Sequence, residues 1–208
     1  MTERVVGRTR MTGTERREQL LAVGRALFAE KGFDAATIEE VAARAEVSKP
    51  VVYEHFGGKE GLYAVVVDRE RADLLDRMTT ALSVGHSRER LERAARAILT
   101  YVEESADGFR ILVRDSPSST GGSLSSLLND VTRQVEHILG EALESRGHPR
   151  AGAPIYAQAL VGMVALTAQW WLDEQVPSKD EVVAHLVNLS WNGLVDLRPD
   201  RESDAHPE

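Results

Sequence analysis

The chain has 208 residues, 42% of them hydrophobic, with no cysteine and a net charge of −8. This length and composition indicate a globular protein of one or two domains with a substantial core, and the lack of cysteine excludes disulfides and thiolate metal sites. No apolar run approaches the ~20 residues that span a bilayer, and the basic N-terminus lacks an apolar signal-peptide core, so we expect a cytoplasmic protein with no membrane partner.

The negative charge is not spread evenly along the chain. Residues 1–60 carry ten Lys or Arg and ten Asp or Glu, whereas the remainder carries 15 basic and 23 acidic residues. Residues 1–17 hold five arginines against two glutamates. The N-terminal part can therefore be locally positive, and binding to nucleic acid should rest on short-range contacts rather than on long-range steering.

Helical periodicity runs through most of the chain and strand signals are nearly absent, so we predict an all-α fold. We expect a disordered basic arm over 1–13, a three-helix unit over 14–58, a second helical domain over 59–196 and a disordered tail over 197–208. The Ser/Gly-rich stretch 116–126 predicts a mobile loop. The nine predicted helices cover residues 14–31, 37–44, 48–54, 58–83, 88–105, 107–115, 122–146, 152–174 and 179–196.

The most informative segment is 37–62, TIEEVAARAEVSKPVVYEHFGGKEGL, which predicts two short helices joined by a tight turn and the start of a third. Thr37 can cap the first of these helices, with Glu40 as its capping-box partner. Ser48 is a second cap, and Pro50 follows in the first turn of the next helix, where its missing N–H costs little. The first helix has an apolar face made of Ile38, Val41, Ala42 and Ala45.

The second short helix has an inner and an outer side. Val47, Val52 and Phe56 can point inward and hold the helix against its neighbours. A short helix that presents polar side chains and is supported by a second helix is the layout of a helix-turn-helix DNA reader. Its outward side chains are expected to be Lys49, Val51, Tyr53, Glu54 and His55.

This segment resembles the DNA-binding domain of the tetracycline-repressor (TetR) family of bacterial transcription regulators. The resemblance covers roughly residues 14–66 and is specific, because generic helix-turn-helix proteins lack the Tyr-x-His-Phe-x-x-Lys-Glu-x-Leu ending found here. The family usually has Gly in place of Glu46, which must adopt or avoid a left-handed backbone that costs roughly 1–2 kcal/mol. The matching residues are Leu20, Leu21, Ala26, Leu27, Phe28, Lys31, Gly32, Phe33, Thr37, Ile38, Val41, Ala42, Ala45, Val47, Ser48, Tyr53, His55, Phe56, Lys59, Glu60 and Leu62.

Nine residues are candidates for contact with double-stranded DNA. Thr37 can donate to a phosphate, and Lys49 can reach a phosphate or a guanine edge. Tyr53 and His55 look like phosphate contacts, as in the family. Because the start of the reading helix is apolar, much of the specificity should come from DNA shape and thymine methyl groups. The nine are Thr37, Arg44, Ser48, Lys49, Pro50, Val51, Tyr53, His55 and Lys59.

Each of these assignments has a structural alternative. Tyr53 could pack against the first helix, and His55 could be a buried or capping histidine. Lys59 could form a surface pair with Glu60. The basic N-terminal arm is either a solvated tail or reaches, through one of its arginines, into a minor groove.

The helices that follow predict how the rest of the chain assembles. The fourth predicted helix would be ~39 Å long at 1.5 Å per residue and could link the two domains mechanically. The last two predicted helices are apolar on more than one face, and a second apolar stripe needs a partner. That partner is either the rest of the same subunit or, as we favour and as the resemblance implies, residues 152–196 of a second chain in a twofold four-helix bundle.

The resemblance also implies that residues beyond about 85 hold a pocket for a small hydrophobic or amphipathic effector. The residues themselves leave this open, because the aromatic side chains could pack in the core or a dimer interface and the arginines could be surface charges. The candidate lining residues are Tyr101, Phe109, Arg110, Leu112, Val113, Arg114, Met163, Thr167, Trp170 and Trp171.

We therefore expect a TetR-like homodimeric repressor that binds a palindromic operator and is released by an effector, with no cofactor and no metal. The alternative is the same scaffold acting as a ligand-independent regulator or protein-interaction module. An enzyme is not expected. The i,i+4 pairs His137–Glu141 and Glu181–His185 do not form a metal-binding motif, and no nucleophile elbow or phosphate-binding glycine loop is present.

Overall fold

A computed structural model describes residues 11–114 and 123–195. These residues form helices and no strand, so the predicted all-α fold is confirmed, and each predicted helix is present with its ends shifted by a few residues. The predicted arm up to residue 10, most of the loop 116–126 and the predicted tail lie outside the described residues. The helices are α1 (Gly13–Ala35), α2 (Ile38–Arg44), α3 (Lys49–Phe56), α4 (Lys59–Ser83), α5 (Ser87–Glu104), α6 (Ala106–Val113), α7 (Ser123–Glu144), α8 (Ala153–Glu174) and α9 (Lys179–Val195).

The first three helices pack with the first half of α4 around a small apolar core. The core forms because each helix carries one apolar stripe that has no other neighbour to cover it. Its aromatic part is a cluster in which Tyr63 lies 5.0 Å from Phe28 and 4.8 Å from Phe33, measured between ring centroids. The most deeply buried members are Leu20, Leu27, Phe28, Val41, Ala45, Val52 and Leu62.

Several residues of this unit have a positive φ, and two of them, Gly32 and Glu46, lie at positions that the sequence analysis singled out. Gly32, with φ 79°, interrupts α1 where the family resemblance predicts a glycine exit, and the chain then adds a last turn to Ala35. Glu46, with φ 53°, lies in the turn between α2 and α3. The turn therefore keeps the left-handed geometry that a glycine would favour, although the residue carries a side chain.

A second and larger core is built from the lower half of α4 and from α5, α6, α7, α8 and α9. It forms where the wide apolar faces of these helices meet, and α5 lies at its centre between α4 and α9. Its most deeply buried side chains are Leu74, Ala95, Leu99, Tyr101, Val102, Phe109, Leu112, Leu127, Ala168 and Val183.

The two cores are joined by α4 and α6. Leu62 and Val66 of α4 belong to the first core, whereas Leu74 belongs to the second. Helix α6 does the same over a single turn, with Ile111 in the first core and Leu112 in the second. Helices α4 and α6 each contribute residues to both cores. The domain boundary predicted at residue 58 therefore stays a prediction.

Helix α8 has two apolar sides. Its inner side supplies Val164 and Ala168 to the second core, and its outer side leaves Ile155, Leu166 and Trp170 at 72%, 68% and 50% exposure. The segment Arg150–Glu174 is long and apolar enough to cross a membrane by length and composition, and 33% of its most apolar window is buried. A core helix with a second, uncovered apolar face has the same length and composition.

The left-handed Glu46 leads to a stability prediction. The Glu46→Gly variant should be more stable than Glu46→Ala by about 0.5–1 kcal/mol, because relief of the left-handed strain exceeds the extra chain entropy that glycine brings to the unfolded state. Urea unfolding measures this change. Glu46→Ala is the matched control, since it removes the side chain but keeps the strain. Equal stabilities of the two variants would contradict the assignment.

Candidate functional site

Eight of the nine residues predicted to contact DNA lie in α2 and α3 or at their N-caps, and Lys59 is the first residue of α4. The predicted capping box of α2 is confirmed, since the Glu40 N–H donates to the Thr37 hydroxyl at 3.2 Å and the Thr37 N–H donates to the Glu40 carboxylate at 3.2 Å. Thr37 and Glu40 thus fix the start of α2 by purely local bonds. This anchors the helix that supports α3.

The second predicted cap is different. Ser48 occupies the N-cap position of α3, but its side chain makes no capping hydrogen bond, so the predicted serine cap is wrong in that respect. Pro50 lies in the first turn as predicted, and its missing N–H removes one of the donors that a cap would have satisfied. The exposed Ser48 hydroxyl therefore has no capping role in this helix.

The outer surface of α3 combines charged, polar and ring side chains, since its valines are turned inward. Lys49 and Pro50 are exposed, and Tyr53 has 53% of its surface exposed rather than being packed against α1. Val51 is half-buried and packs against the first core, beside the fully buried Val52. The surface that α3 offers is thus a lysine, a proline ring, a tyrosine and the carboxylate of Glu54.

The cationic side chains near this surface are paired with acidic residues of the same unit. Lys49 is ion-paired with Glu39 of α2, and both are more than half exposed. The Lys49 ammonium lowers the pKa of the Glu39 carboxyl. Arg44 pairs with Glu30 of α1 at 2.7 Å. Exposed pairs of this kind are weak, so both cations can exchange an acidic partner for a phosphate at little cost.

Lys59 contacts the end of α1 rather than forming only a surface pair with Glu60. Its ammonium donates to the carbonyl oxygens of Phe33 and Asp34 at 3.0 and 3.3 Å and lies 4.4 Å from the centre of the Phe33 ring. It thereby satisfies two backbone carbonyl oxygens at the end of α1, where the helix dipole favours a cation. This lysine holds α4 to α1 as well as lying near the candidate surface.

Two residues that the sequence analysis did not single out organise the α3 side of the unit. Arg17 donates to the His55 carbonyl at 2.8 Å and stacks over the Phe56 ring at 4.4 Å. Gln19 donates to the Ala45 carbonyl at 3.2 Å, which closes the end of α2. Both partners are 26 or more positions away in sequence, so only the packing of α1 reveals these roles.

A polar network ties this unit to the second core. Arg25 of α1 donates to the Glu70 carboxylate of α4 at 2.6 Å and to the Ser105 hydroxyl at 2.5 Å. The Tyr101 hydroxyl donates to the other Glu70 oxygen at 2.6 Å. Burial, and then the bond to Glu70, raise the pKa of Tyr101 far above its ordinary value. Gly108 packs so closely on Glu70 that a side chain there would collide with it.

Three of the residues predicted to line a ligand pocket make other contacts instead. Arg114 donates to the carbonyl oxygens of Phe28 and Ala29 at 3.4 and 2.6 Å, which binds the end of α6 to α1. Arg110 lies at the surface, 3.7 Å from both Asp107 and Asp173. Trp171 is buried, and its indole N–H donates to the Pro177 carbonyl at 2.8 Å.

The other candidates are scattered between the core and the outer face of α8. Tyr101, Phe109 and Leu112 are fully buried in the second core, while Val113 is only half-buried. Met163 and Thr167 are partly buried along α8, and Trp170 lies on its outer face. The structure therefore does not bring the predicted set together around one space.

An apolar cavity does exist in the second domain, in a different place. It lies between α4, α5, α7 and α8, and only Ser87 and Arg90 among its lining residues are polar. None of the predicted ligand candidates lines it. Sequence patterns alone could not reveal this cavity, because aliphatic side chains from four helices are indistinguishable from ordinary core. Its lining residues are Leu74, Met78, Leu82, Ser87, Arg90, Leu91, Ala94, Ile98, Leu127, Leu128, Val131, Val135, Ile138, Leu139, Leu160, Val161, Val164 and Ala165.

Comparison with known families identifies the chain. Residues 20–66 match the description "Bacterial regulatory proteins, tetR family", and residues 87–193, more than half of the chain, match "Tetracyclin repressor-like, C-terminal domain". The chain belongs to the TetR family. The resemblance drawn from the sequence is thus confirmed, and TetR-family proteins are DNA-binding transcription regulators rather than enzymes.

Individual relatives agree with this assignment. The transcriptional activator FasR of Mycolicibacterium smegmatis is 31% identical over 188 residues, which cover 89% of this chain and 85% of FasR. A TetR-like regulator from Rhodococcus sp. RHA1 has a solved structure with a TM-score of 0.73 and 25% identity, covering 90% of this chain and all of that one. The solved SmeT–triclosan complex has the same fold, with a TM-score of 0.62 at 18% identity over 93% of this chain and 99% of SmeT.

The ion pair beside α3 leads to a prediction for DNA binding. Glu39→Gln should strengthen binding to DNA of any sequence by roughly three- to tenfold at low salt, because the change releases Lys49 and removes a carboxylate that repels phosphate. Fluorescence anisotropy over a series of salt concentrations measures this, and the gain should shrink as salt rises.

The control for Glu39→Gln is Glu103→Gln. Glu103 is an exposed acid paired with Lys179 in the second domain, so this variant makes the same change in net charge far from α3. We expect it to leave DNA affinity unchanged. Equal gains from the two variants would show that net charge alone acts, and weaker binding by Glu39→Gln would contradict the competition between Glu39 and phosphate.

The network around Glu70 leads to a stability prediction. Glu70→Gln should destabilise the fold by about 1–3 kcal/mol, since it leaves the charge of Arg25 without its partner in a half-buried place. Glu18→Gln is the matched control, because Glu18 forms an exposed pair with Arg69 between the same two helices. Urea unfolding should show a much smaller loss for the control, and similar losses would mean that the Glu70 network does not hold α1 to α4.

Proposed function

We propose that this TetR-family chain is a cytoplasmic homodimeric repressor that binds a palindromic operator through α2 and α3 and is released by a small amphipathic effector bound in the apolar cavity. The observation that carries this proposal is the combination of a DNA-reading unit and an effector-sized space connected by one continuous helix, α4 (Lys59–Ser83). SmeT, which has the same fold, was solved in complex with triclosan, a small molecule.

The proposed DNA contacts follow from the exposure of each residue. Lys49, Pro50 and Tyr53 are exposed on α3 and meet the major groove and its flanking phosphates. Val51 reaches thymine methyl groups only at its exposed edge. Thr37 and Ser48, at two helix starts, donate to phosphates, as helix N-termini favour anions.

The remaining predicted contacts act with the helix packing. Arg44 leaves Glu30 to bind a phosphate, and His55 lies near the end of α3, where its backbone carbonyl accepts a hydrogen bond from Arg17. Lys59 holds the end of α1 in the free protein, so its contact with DNA is secondary to its hold on that end. The specificity of the complex then rests on groove shape and on a few apolar contacts rather than on many bidentate hydrogen bonds.

The proposed dimer uses α8 and α9. The outer face of α8 presents Ile155, Leu166 and Trp170, and α9 adds Leu189 at 65% exposure. An apolar face of this extent on a regulator marks a protein interface. A twofold pair of these helices makes a four-helix bundle and sets the two copies of α3 at a fixed separation, roughly 34–36 Å for successive major grooves.

The proposed switch uses the cavity and the joining helices. Leu74, Met78 and Leu82 of α4 form one wall of the cavity. A ligand that binds more tightly when these residues move outward favours a state in which α4 is tilted, and the two reading helices then no longer match the groove spacing. Arg114 and the Glu70 network carry the displacement to α1.

Repression is the outcome that we propose, because an operator-bound dimer blocks access to the DNA that it covers. FasR is named an activator. Whether a bound regulator represses or activates depends on where its operator lies relative to the promoter. The binding and release steps of this proposal are the same in both cases.

Selection of bound DNA from a random pool tests the proposal directly. A twofold palindrome with a fixed half-site spacing is expected. Tyr53→Ala should weaken binding to all sequences alike and leave its salt dependence unchanged, because tyrosine is neutral, whereas Lys49→Ala should flatten the salt dependence and change the preferred sequence. Recovery of no common sequence, or of a single half-site, would contradict the operator and the dimer.

The dimer leads to a prediction of its own. Trp170→Glu should shift the protein to a monomer at micromolar concentration, because a charge at the centre of an apolar interface is strongly unfavourable. Sedimentation velocity measures the change. The control is Val84→Glu, since Val84 is also an exposed apolar residue, at 55%, but lies after the end of α4. A Trp170→Glu protein that sediments as wild type would place the interface elsewhere.

A further inference from the structure

The apolar cavity contains one polar group that the packing does not explain. Arg90 of α5 lines the cavity, and its Nε is buried with no hydrogen-bond partner. Buried N–H groups are almost always paired, and an arginine N–H is a charged donor whose isolation is costly. Arg90 thus has a buried donor that is ready for an acceptor brought by another molecule.

Comparison with Arg71 shows why Arg90 is distinctive. Arg71 also has a buried Nε without a partner, but its guanidinium is held by Asp130 at 3.0 Å and it does not line the cavity. Among the described residues, the lining of the cavity includes no Asp or Glu that could neutralise Arg90. The charge next to this apolar space is therefore positive and uncompensated from within the cavity.

The shape of the site separates an apolar part from a polar end. Leu74, Val131 and Val164 belong to the apolar walls, whereas Ser87 and Arg90 lie on the same side of α5, three positions apart. Ser87 is exposed, so this end of the cavity reaches the surface of the protein. A molecule that enters with its apolar chain first leaves its head beside Arg90 and Ser87.

The volume of the cavity limits the size of the alkyl chain that can bind in it. About 90 Å³ is open to the centre of a water-sized sphere. A single water needs roughly 10–15 Å³ on this measure, so the space corresponds to about six to nine waters. That suits a medium-length alkyl chain rather than a bulky polycyclic molecule.

We infer that Arg90 binds the anionic oxygen head of an amphipathic effector, a carboxylate or a phosphate, whose alkyl chain fills the cavity. The inference rests on the proposed function in that it names the ligand class of the same cavity. A guanidinium donates to two oxygens of such a head in parallel, and the hydroxyl of Ser87 is a second donor. Cationic amphiphiles are excluded by the same charge.

Binding of a matched series of eight-carbon compounds tests the inference. Isothermal titration with octanoate, octyl phosphate, octan-1-ol and octyltrimethylammonium separates the head from the chain. One or both anions should bind at least tenfold more tightly than the alcohol, and the cation should bind least. The two anions also distinguish a carboxylate effector from a phosphate effector. An alcohol that binds as tightly as both anions, or no binding of either anion at millimolar concentration, would overturn the inference.

Variants of Arg90 give the second test. Arg90→Gln should weaken binding of the preferred anion at least tenfold and leave binding of octan-1-ol within twofold, and Arg90→Lys should restore part of the difference. Arg93→Gln is the matched control, because Arg93 is exposed on the same helix and does not line the cavity. Equal losses for the anion and the alcohol in Arg90→Gln would show that Arg90 only supports the fold and would overturn the inference.

The same ligands distinguish this inference from the proposed switch. Binding to the protein is measured without DNA, and release from the selected operator is measured separately. If the anion binds through Arg90 but operator affinity does not change, the switch fails and the role of Arg90 stands. If the anion and the alcohol release the operator equally well, the switch stands and the role of Arg90 fails.

Discussion

The constraint on which this structure depends is that one helix, α4 (Lys59–Ser83), belongs to two cores at once. Leu62 and Val66 fix its upper half among α1–α3, and Leu74 and Met78 fix its lower half among α5, α7 and α8. Between the halves stands Glu70, held by Arg25 of the first unit and by residues of the second domain. Neither half can rotate without disturbing the packing of the other, because cores are close-packed and resist continuous deformation.

The charge of the DNA-reading unit follows a related logic. Over residues 1–60, lysines and arginines equal the acids in number, and Lys49 and Arg44 are each paired with an acid of a neighbouring helix. In the proposed complex with DNA, phosphate has to replace an internal acidic partner at Lys49 and at Arg44. This lowers nonspecific affinity, which otherwise comes almost entirely from cation–phosphate contacts, and it leaves shape and apolar complementarity to discriminate between sequences.

The parts that could be predicted from the sequence are those fixed by neighbours within one helical turn or by a family pattern. The Thr37–Glu40 capping box, the nine α-helices of residues 11–114 and 123–195 and the left-handed backbone at Glu46 are of this kind. Lys59 and Arg114 could not be assigned, because their partners are carbonyl groups of α1 that only tertiary packing brings near. The ligand candidates were chosen for aromatic or charged chemistry, whereas the cavity is lined by aliphatic residues that carry no distinguishing signal until four helices are assembled.

Helix α8 connects the apolar cavity with the proposed dimer interface. Its inner face supplies Val161, Val164 and Ala165 to the cavity, and its outer face exposes Leu166 and Trp170, the residue that follows by one turn. A rigid helix that is displaced on one side is displaced on the other. If the outer face forms the dimer interface, filling of the cavity and the relative orientation of the two subunits are coupled by the same helix, and this coupling is reciprocal. A preformed dimer would then alter ligand affinity by the same factor as ligand alters dimer affinity, with no contact between ligand and partner.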